Sequence, residues 1–424
     1  MKFLWLLILL SLSVFAQERR PMVKGMNLTQ LGGFIYDANP TGPKTPAQVA
    51  VDQIYDLGAR HVVLNPQARM SNPYGNDMIP DVGPSERNAE RTRYRNLINY
   101  IRSKGMTVGL RPIFFVVGPN GEFPYIVKQP DGSSKTWWHG NIQPSDPNRW
   151  FESFKQFHDI YLLIARLNKV EEYTIGAELY SMTVGIEDQW KEQPYGFPRQ
   201  WVQLLRYAKT KVAPGTRMMY DINFTDDKAS SNGDLQAMGG EFERWRYRLV
   251  DLANPTNPEE YEIWENLVTF WKELDAIGID MYRSLAGRED LIPRNYNDLV
   301  PFLRRRSDEY ANQIDIALAE IESVTDHHQY MIFKEVGFRS VDSGFIDPFD
   351  YETGRGNYND QHMAAAFQAL YESFWEPQFS WFQGASFWDV SVSPSRNGGV
   401  GDTGFSPVGK PVSTGVLRRI FSMD

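Results

Sequence analysis

The sequence predicts an α/β fold, a (β/α)8 (TIM) barrel with long βα loops, filling residues 17–424 as one domain. Three observations predict it. Short apolar, β-branched runs alternate with helical patterns eight times along the chain. No Gly-rich phosphate fingerprint follows the first run, where Gly25-Met26-Asn27 stands instead, so an open dinucleotide-binding sheet is disfavoured. No repeat, low-complexity tract or linker divides the 424 residues.

The elements follow in order. A first strand is predicted over 23–28. Thr45 and Pro46 suit the N-cap and first position of a helix over 45–57, and Gly58 suits its stop. A second strand occupies 61–64, a helix 86–104 ends at Gly105, and a third strand spans 106–115. Asp146 caps a long helix over 146–167, with Pro147 at its first position, and the fourth strand is 173–176. Helix 198–212 and strand 217–222, helix 263–274 and strand 276–281, helix 299–322 and strand 330–334, and helix 361–375 and strand 380–387 continue the alternation. A last helix falls near 412–421. Two loops are long, 115–144 and 221–258, and both lie at C-terminal strand ends, where barrel active sites are built.

Lys2 precedes an apolar run from Phe3 to Phe15, and Val14-Phe15-Ala16 suits a signal peptidase. The run is too short to span a bilayer, so residues 1–16 are expected to be a cleaved signal peptide. The protein is then periplasmic or secreted, with no integral membrane segment, and is expected to be a monomer. Composition is that of an ordered chain, 42% apolar and 23% charged. The net charge of −9 argues against a nucleic-acid partner. With no Cys and six His, neither a disulfide nor a zinc or redox site is expected, and no cofactor or metal is implied. His327-His328 point apart and read as loop residues. Asp226-Asp227 and the acidic stretch 342–360 read as solvated loop rather than a calcium site. Arg304-Arg305-Arg306 reads as an exposed helix face. Aromatic residues make up 14% of the chain, including 12 Trp and 21 Tyr, which fits either a ring-rich core or a groove that stacks sugar faces.

Cleaving a glycosidic bond takes two carboxyls, one to donate a proton and one to attack or to activate water. Glu178 ends the fourth strand in Ile175-Gly176-Ala177-Glu178-Leu179-Tyr180, and Glu335 ends the seventh in Ile332-Phe333-Lys334-Glu335-Val336-Gly337. A carboxylate closing an apolar strand is either paired or functional, because burying it alone is costly. Arg69 and Arg111, near the ends of the second and third strands, are candidates to contact substrate or to hold Glu335. An ion pair in the barrel mouth is the alternative for each.

Glu at the ends of strands four and seven resembles the clan of retaining barrel glycosidases. Within it the chain is similar to the family 113 β-mannanases. The likeness is carried by Lys24-Gly25, Leu57-Gly58-Ala59, Trp138-His139-Gly140-Asn141-Ile142-Gln143-Pro144 with Trp150-Phe151-Glu152-Ser153, and Gly176-Ala177-Glu178-Leu179. It continues through Glu335-Val336-Gly337-Phe338-Arg339-Ser340, Gln368-Ala369-Leu370-Tyr371-Glu372 and Gly384-Ala385-Ser386-Phe387-Trp388. The resemblance implies Glu178 as acid/base and Glu335 as nucleophile. It implies Tyr282 as the phenol that bonds the nucleophile, Trp388 as the platform under the sugar, and Asn223 and Trp138 as sugar-site residues. Trp137 beside Trp138 joins them as a substrate-binding candidate. Two departures stand out. Ala177 replaces the Asn that the wider clan places before its acid/base, and the segment after Asp221 is long enough to reshape one end of the groove.

The expected activity is therefore retaining hydrolysis of a β-1,4-linked mannan-type polysaccharide or oligosaccharide, with the carboxyls about 5–5.5 Å apart. Apolar surroundings and the charge of Glu335 should keep Glu178 protonated. The same mechanism on another glycan (glucan, peptidoglycan or exopolysaccharide) is one alternative. A non-catalytic carbohydrate-binding barrel is another, and the presence of both carboxylates argues against it.

Overall fold

The structure, a computed structural model, describes residues 21–29, 42–187, 189–225, 240–350 and 356–423. The expected signal peptide and Asp226-Asp227 lie outside the described residues. Eight parallel strands close a barrel in chain order. They are β1 (Val23–Thr29), β2 (His61–Leu64), β3 (Thr107–Leu110), β4 (Glu172–Ala177), β5 (Arg217–Thr225), β6 (Ala276–Tyr282), β7 (Met331–Val336) and β8 (Phe382–Ser391). A long helix follows each: α1 (Pro46–Asp56), α2 (Arg87–Ser103), α3 (Pro147–Asn168), α4 (Pro198–Lys211), α5 (Pro258–Glu273), α6 (Tyr296–Thr325), α7 (Asp360–Leu370) and α8 (Pro411–Ser422). The (β/α)8 expectation holds.

The helix starts follow from capping chemistry. Thr45 Oγ1 accepts the Gln48 N–H while Gln48 Oε1 accepts the Thr45 N–H, a reciprocal box. Asp146 accepts the Arg149 N–H at 3.1 Å. Helix α5 begins earlier than its apolar period implies. Asn257 caps it, Pro258 takes the first position, and its first turn carries Glu259 and Glu260 rather than core residues.

The predicted third strand, 106–115, is two strands. Pro112 has no N–H to give the ladder, so β3 stops at Leu110 and the chain re-pairs as Ile113–Val116. Strand β2 ends the same way before Pro66, continuing as Gln67–Met70. These two extensions pair with each other and with Ile79–Pro80 in a three-stranded sheet at the C-terminal end of the barrel.

The aromatic residues serve the core more than the surface. Trp150, Trp201, Trp245 and Trp271 are fully buried. Trp150 stacks on Phe154 at 4.7 Å, and Trp201 meets Tyr220 at 5.4 Å and Phe270 at 5.7 Å, filling the space between β4, β5 and helices α3 to α5. The barrel interior is polar lower down. Glu172 accepts from Lys334 Nζ at 2.8 Å, with His61 Nε2 at 3.3 Å and Arg217 at 3.9 Å. Burial alone would raise Glu172, but these cations hold it well below the usual carboxylate range.

Candidate active site

Arg111 organises the mouth of the barrel. The residue before a proline is confined to extended backbone, which here turns Arg111 off the end of β3. Its N–H still bonds Leu64 O at 2.8 Å, and the ladder resumes at Ile113 N to Pro66 O, 2.9 Å. The buried guanidinium then forks three ways. Nε donates to Asp221 Oδ2 at 2.6 Å, Nη2 to Asp280 Oδ2 at 2.6 Å and Nη1 to Glu335 Oε1 at 2.5 Å. One cation thus serves three carboxyls. Burial pushes Asp280 well above the carboxylate range. Arg111 opposes that rise, while the charges of Glu335, Glu178 and Asp221 add to it. The balance at Asp280 therefore favours its protonated form.

Glu335 lies on β7 near its end and is held from both sides. Opposite the Arg111 contact, the Tyr282 hydroxyl from the end of β6 donates to Oε2 at 2.8 Å. Burial raises Glu335, Arg111 pulls it back, and the charge of Glu178 raises it again. Tyr282 stays a neutral donor, since burial and then Glu335 drive its phenol well above the ordinary value. Trp388 stands near the end of β8, partly exposed, its backbone packed against Gly337 two residues beyond Glu335.

Glu178 follows β4 directly. Its backbone is left-handed, with φ of +57°, and its N–H bonds Asp221 O at 2.8 Å. Such a conformation in a glutamate is costly and is found where surroundings impose it. Asn223 Nδ2 donates to Oε1 at 2.5 Å, and His139 Nε2 lies 3.0 Å from Oε2. The expectation that apolar surroundings keep this carboxyl protonated is corrected here. Burial does push Glu178 up, but His139, the charge of Arg111 and the Asn223 amide outweigh it, so the carboxyl is lowered.

The sequence candidates thus divide. Glu178, Glu335, Tyr282, Asn223 and Arg111 come together around the two carboxyls. Trp138 sits beside them, its ring 4.8 Å from His139 and 5.7 Å from Tyr180. Two candidates do not join. Arg69 is not a partner of Glu335, because its strand belongs to the side sheet, where it pairs with Asp81 at 3.2 Å. Trp137 is buried, edge-on to Tyr74 and beneath Lys135, so its faces are taken by the protein. His139 was missed as a site residue. Its place in the resembling Trp138-to-Pro144 run was the available signal, but the contact with Glu178 spans 39 positions. Asp221 and Asp280 were missed as well, each an acidic residue inside an apolar strand.

Among the described residues, no group of three or more His, Cys, Asp or Glu is placed to hold a metal ion, and no helix is long and apolar enough to cross a membrane.

Residues 255–410 match the model of Glycoside Hydrolase Family 113. The chain is a glycoside hydrolase. The matched stretch of this hydrolase contains Tyr282, Glu335 and Trp388 but not Glu178, so the role of Glu178 rests on its geometry. Solved structures share the barrel. A family 113 β-mannanase from Alicyclobacillus acidocaldarius is 16% identical with a TM-score of 0.59, over 95% of this chain and 97% of that one. A family 113 β-1,4-mannanase is 16% identical with a TM-score of 0.57, over 95% and 100%. A family 5 mannosidase from Rhizomucor miehei is 10% identical with a TM-score of 0.53, over 95% and 92%. A search of curated proteins gives no match.

Proposed function

We propose that this glycoside hydrolase cleaves β-1,4-linked mannan-type chains by retaining double displacement. One observation carries the proposal: two carboxyls share the barrel mouth, each gripped by its own set of donors. Glu335 is oriented by Arg111 and Tyr282, as a nucleophile must be. Glu178 is oriented at its two oxygens by Asn223 and His139.

In the first step a Glu335 carboxylate oxygen attacks the anomeric carbon. The bond from that carbon to the glycosidic oxygen breaks, and Glu178 in its protonated form, whose share shrinks as pH rises above its lowered range, gives the departing oxygen its proton. In the second step Glu178 takes a proton from water. The water oxygen bonds the anomeric carbon, and Glu335 leaves as carboxylate. Esterification removes the negative charge of Glu335, which favours ionisation of Glu178 when it must act as a base. Trp388 and Trp138 offer ring faces to the sugars on either side.

The mannan preference draws on the family 113 match and on the mannanase names of its structural neighbours. Ala177 favours a second reading, the same chemistry on another glycan. It puts a methyl where the clan has an amide that meets the sugar 2-OH, the group that separates manno from gluco substrates. A panel of mannan, glucomannan and cellulose decides the sugar, and release from cellulose but not mannan overturns the mannan choice. Proton NMR of the first-formed product should show the β-anomer, whereas an α-product would mean inversion. Glu178→Gln and Glu335→Gln should each cost about 10³-fold or more in kcat with folding intact. Full activity in both variants would sink the assignment. Export is proposed too, and N-terminal sequencing of the exported chain should begin near Gln17.

A further inference from the structure

Glu241 is a buried carboxyl that the double displacement does not use. It opens the short helix Glu241–Arg246, in the segment that rejoins the barrel after β5, and is fully inaccessible to solvent. Three donors meet its two oxygens. The Asn223 N–H reaches Oε2 at 2.9 Å, and the Tyr220 hydroxyl and Trp245 Nε1 reach Oε1 at 3.2 and 3.3 Å.

Two of these contacts lead to Glu178. Asn223 is the residue whose side-chain amide holds Glu178 Oε1. Tyr220 accepts, on the same hydroxyl, the N–H of Leu179 at 2.9 Å, and Leu179 is the next residue after Glu178. Thr183 Oγ1 completes that hydroxyl's surroundings at 3.2 Å. Glu241 therefore holds the peptide whose side chain orients Glu178 and, through one hydroxyl, the peptide that follows Glu178. The residue between these two holds is the one with a left-handed backbone, which must be imposed from outside.

We propose that Glu241 is a positioning residue for the acid/base, holding Glu178 through Asn223 and Tyr220 in the backbone and rotamer that aim its proton at the glycosidic oxygen. The proposal rests on the double-displacement reading for what Glu178 does, but the hold itself does not depend on the sugar. Tyr220 and Glu178 are the titratable groups that act on Glu241. Burial first, and then the charge of Glu178, push its carboxyl up to about 8. The two carboxyls thus sense one another.

Two variants test the proposal. Glu241→Gln keeps the shape but turns an amide N–H toward a donor, since Asn223 N–H and Trp245 Nε1–H can only donate. Tyr220→Phe leaves the carboxyl in place and removes the hydroxyl that joins it to Thr183 and to the Leu179 N–H. Each should lower kcat/KM on a manno-oligosaccharide by about tenfold or more, because general-acid catalysis tolerates little displacement. Each should stay within about twofold of wild type on 2,4-dinitrophenyl β-mannoside, whose leaving group departs without a proton. Equal losses on both substrates would mean a merely structural role and overturn the proposal. A second readout needs no substrate. In protein carrying 13C-carboxyl glutamate, the Glu178 signal, assigned by its loss in Glu178→Gln, should titrate at a shifted midpoint in both variants. If the wild-type chain cleaves neither mannoside, the functional reading fails and the titration still decides: a shifted Glu178 midpoint supports the hold, and an unshifted one overturns it.

Discussion

Arg111 shows how much one residue can carry. A guanidinium is a planar fork that stays charged when buried, and here its three nitrogens each take a different carboxyl. Arg111→Met would leave three buried carboxyls facing one another without a cation. Urea unfolding should show a loss of about 3–5 kcal/mol, with activity gone; a loss below about 1 kcal/mol would contradict this account. His139 permits a second prediction. It lowers Glu178, so His139→Ala should let Glu178 keep its proton to higher pH. The alkaline limb of kcat/KM should then move up in pH, and a limb that stays or moves down would show that His139 does not tune the acid. At this scale the carboxyl pair was legible because each glutamate ends an apolar strand at a position where chemistry is expected. The pairings were not. Arg69 and Arg111 look alike in sequence, and only the proline-broken strand ends send one into the barrel mouth and the other to Asp81.

Among the elements, strand β6 places the site through what it lacks. Gly278 leaves a gap that Asp221 fills from β5, and a Cβ at Gly278 would fall 1.9 Å from Asp221 Oδ1. Gly278→Ala should therefore push Asp221 off Arg111. It should cost about 1–3 kcal/mol by thermal unfolding, and activity should fall with it. Unchanged stability would mean that Asp221 has another place to go. The strand–helix alternation was legible because periodicity and capping agreed, as at Thr45 and Asp146. The split of the third strand was harder to see, because the apolar run continues through Pro112 while the ladder does not. Strand β5 runs to Thr225, beyond the 222 that the sequence predicts, for a related reason. Asn223 and Thr225 are polar but buried within the strand, so polarity there marked the site and not a loop.

The whole molecule inherits a pH dependence from the same region. Glu241 holds its proton more tightly folded than unfolded, being raised to about 8 from the usual carboxylate range. Its contribution is fully present below the unfolded value near 4.5 and is lost as pH climbs through about 8. Wild-type stability should accordingly decline across that window, and Glu241→Gln should decline less. Parallel curves from urea titrations at several pH values would count against this. Composition alone does not say where the rings of this chain go. A chain rich in Trp and Tyr could line a groove, but its buried rings seal helices onto the barrel in two places, at α3 to α5 and again where Phe333, Phe382 and Phe387 meet Phe374, Trp375 and Phe421, while Trp138 and Trp388 stay partly exposed.

The twin proline exits from β2 and β3 bear on how this molecule could be altered. Because the ladder is interrupted at Pro66 and again at Pro112, the side sheet beyond them is hinged to the barrel like a shelf on brackets. Asn65 and Arg111, each the residue before its proline, are the brackets: Arg111 faces the carboxyls, and buried Asn65 lies behind it with Oδ1 3.5 Å from Nη1. Alteration there is confined to outward positions such as Arg69 and Ile79, because Ala68, Met70, Phe114 and Val116 on the shelf's other face are packed into the core beneath it.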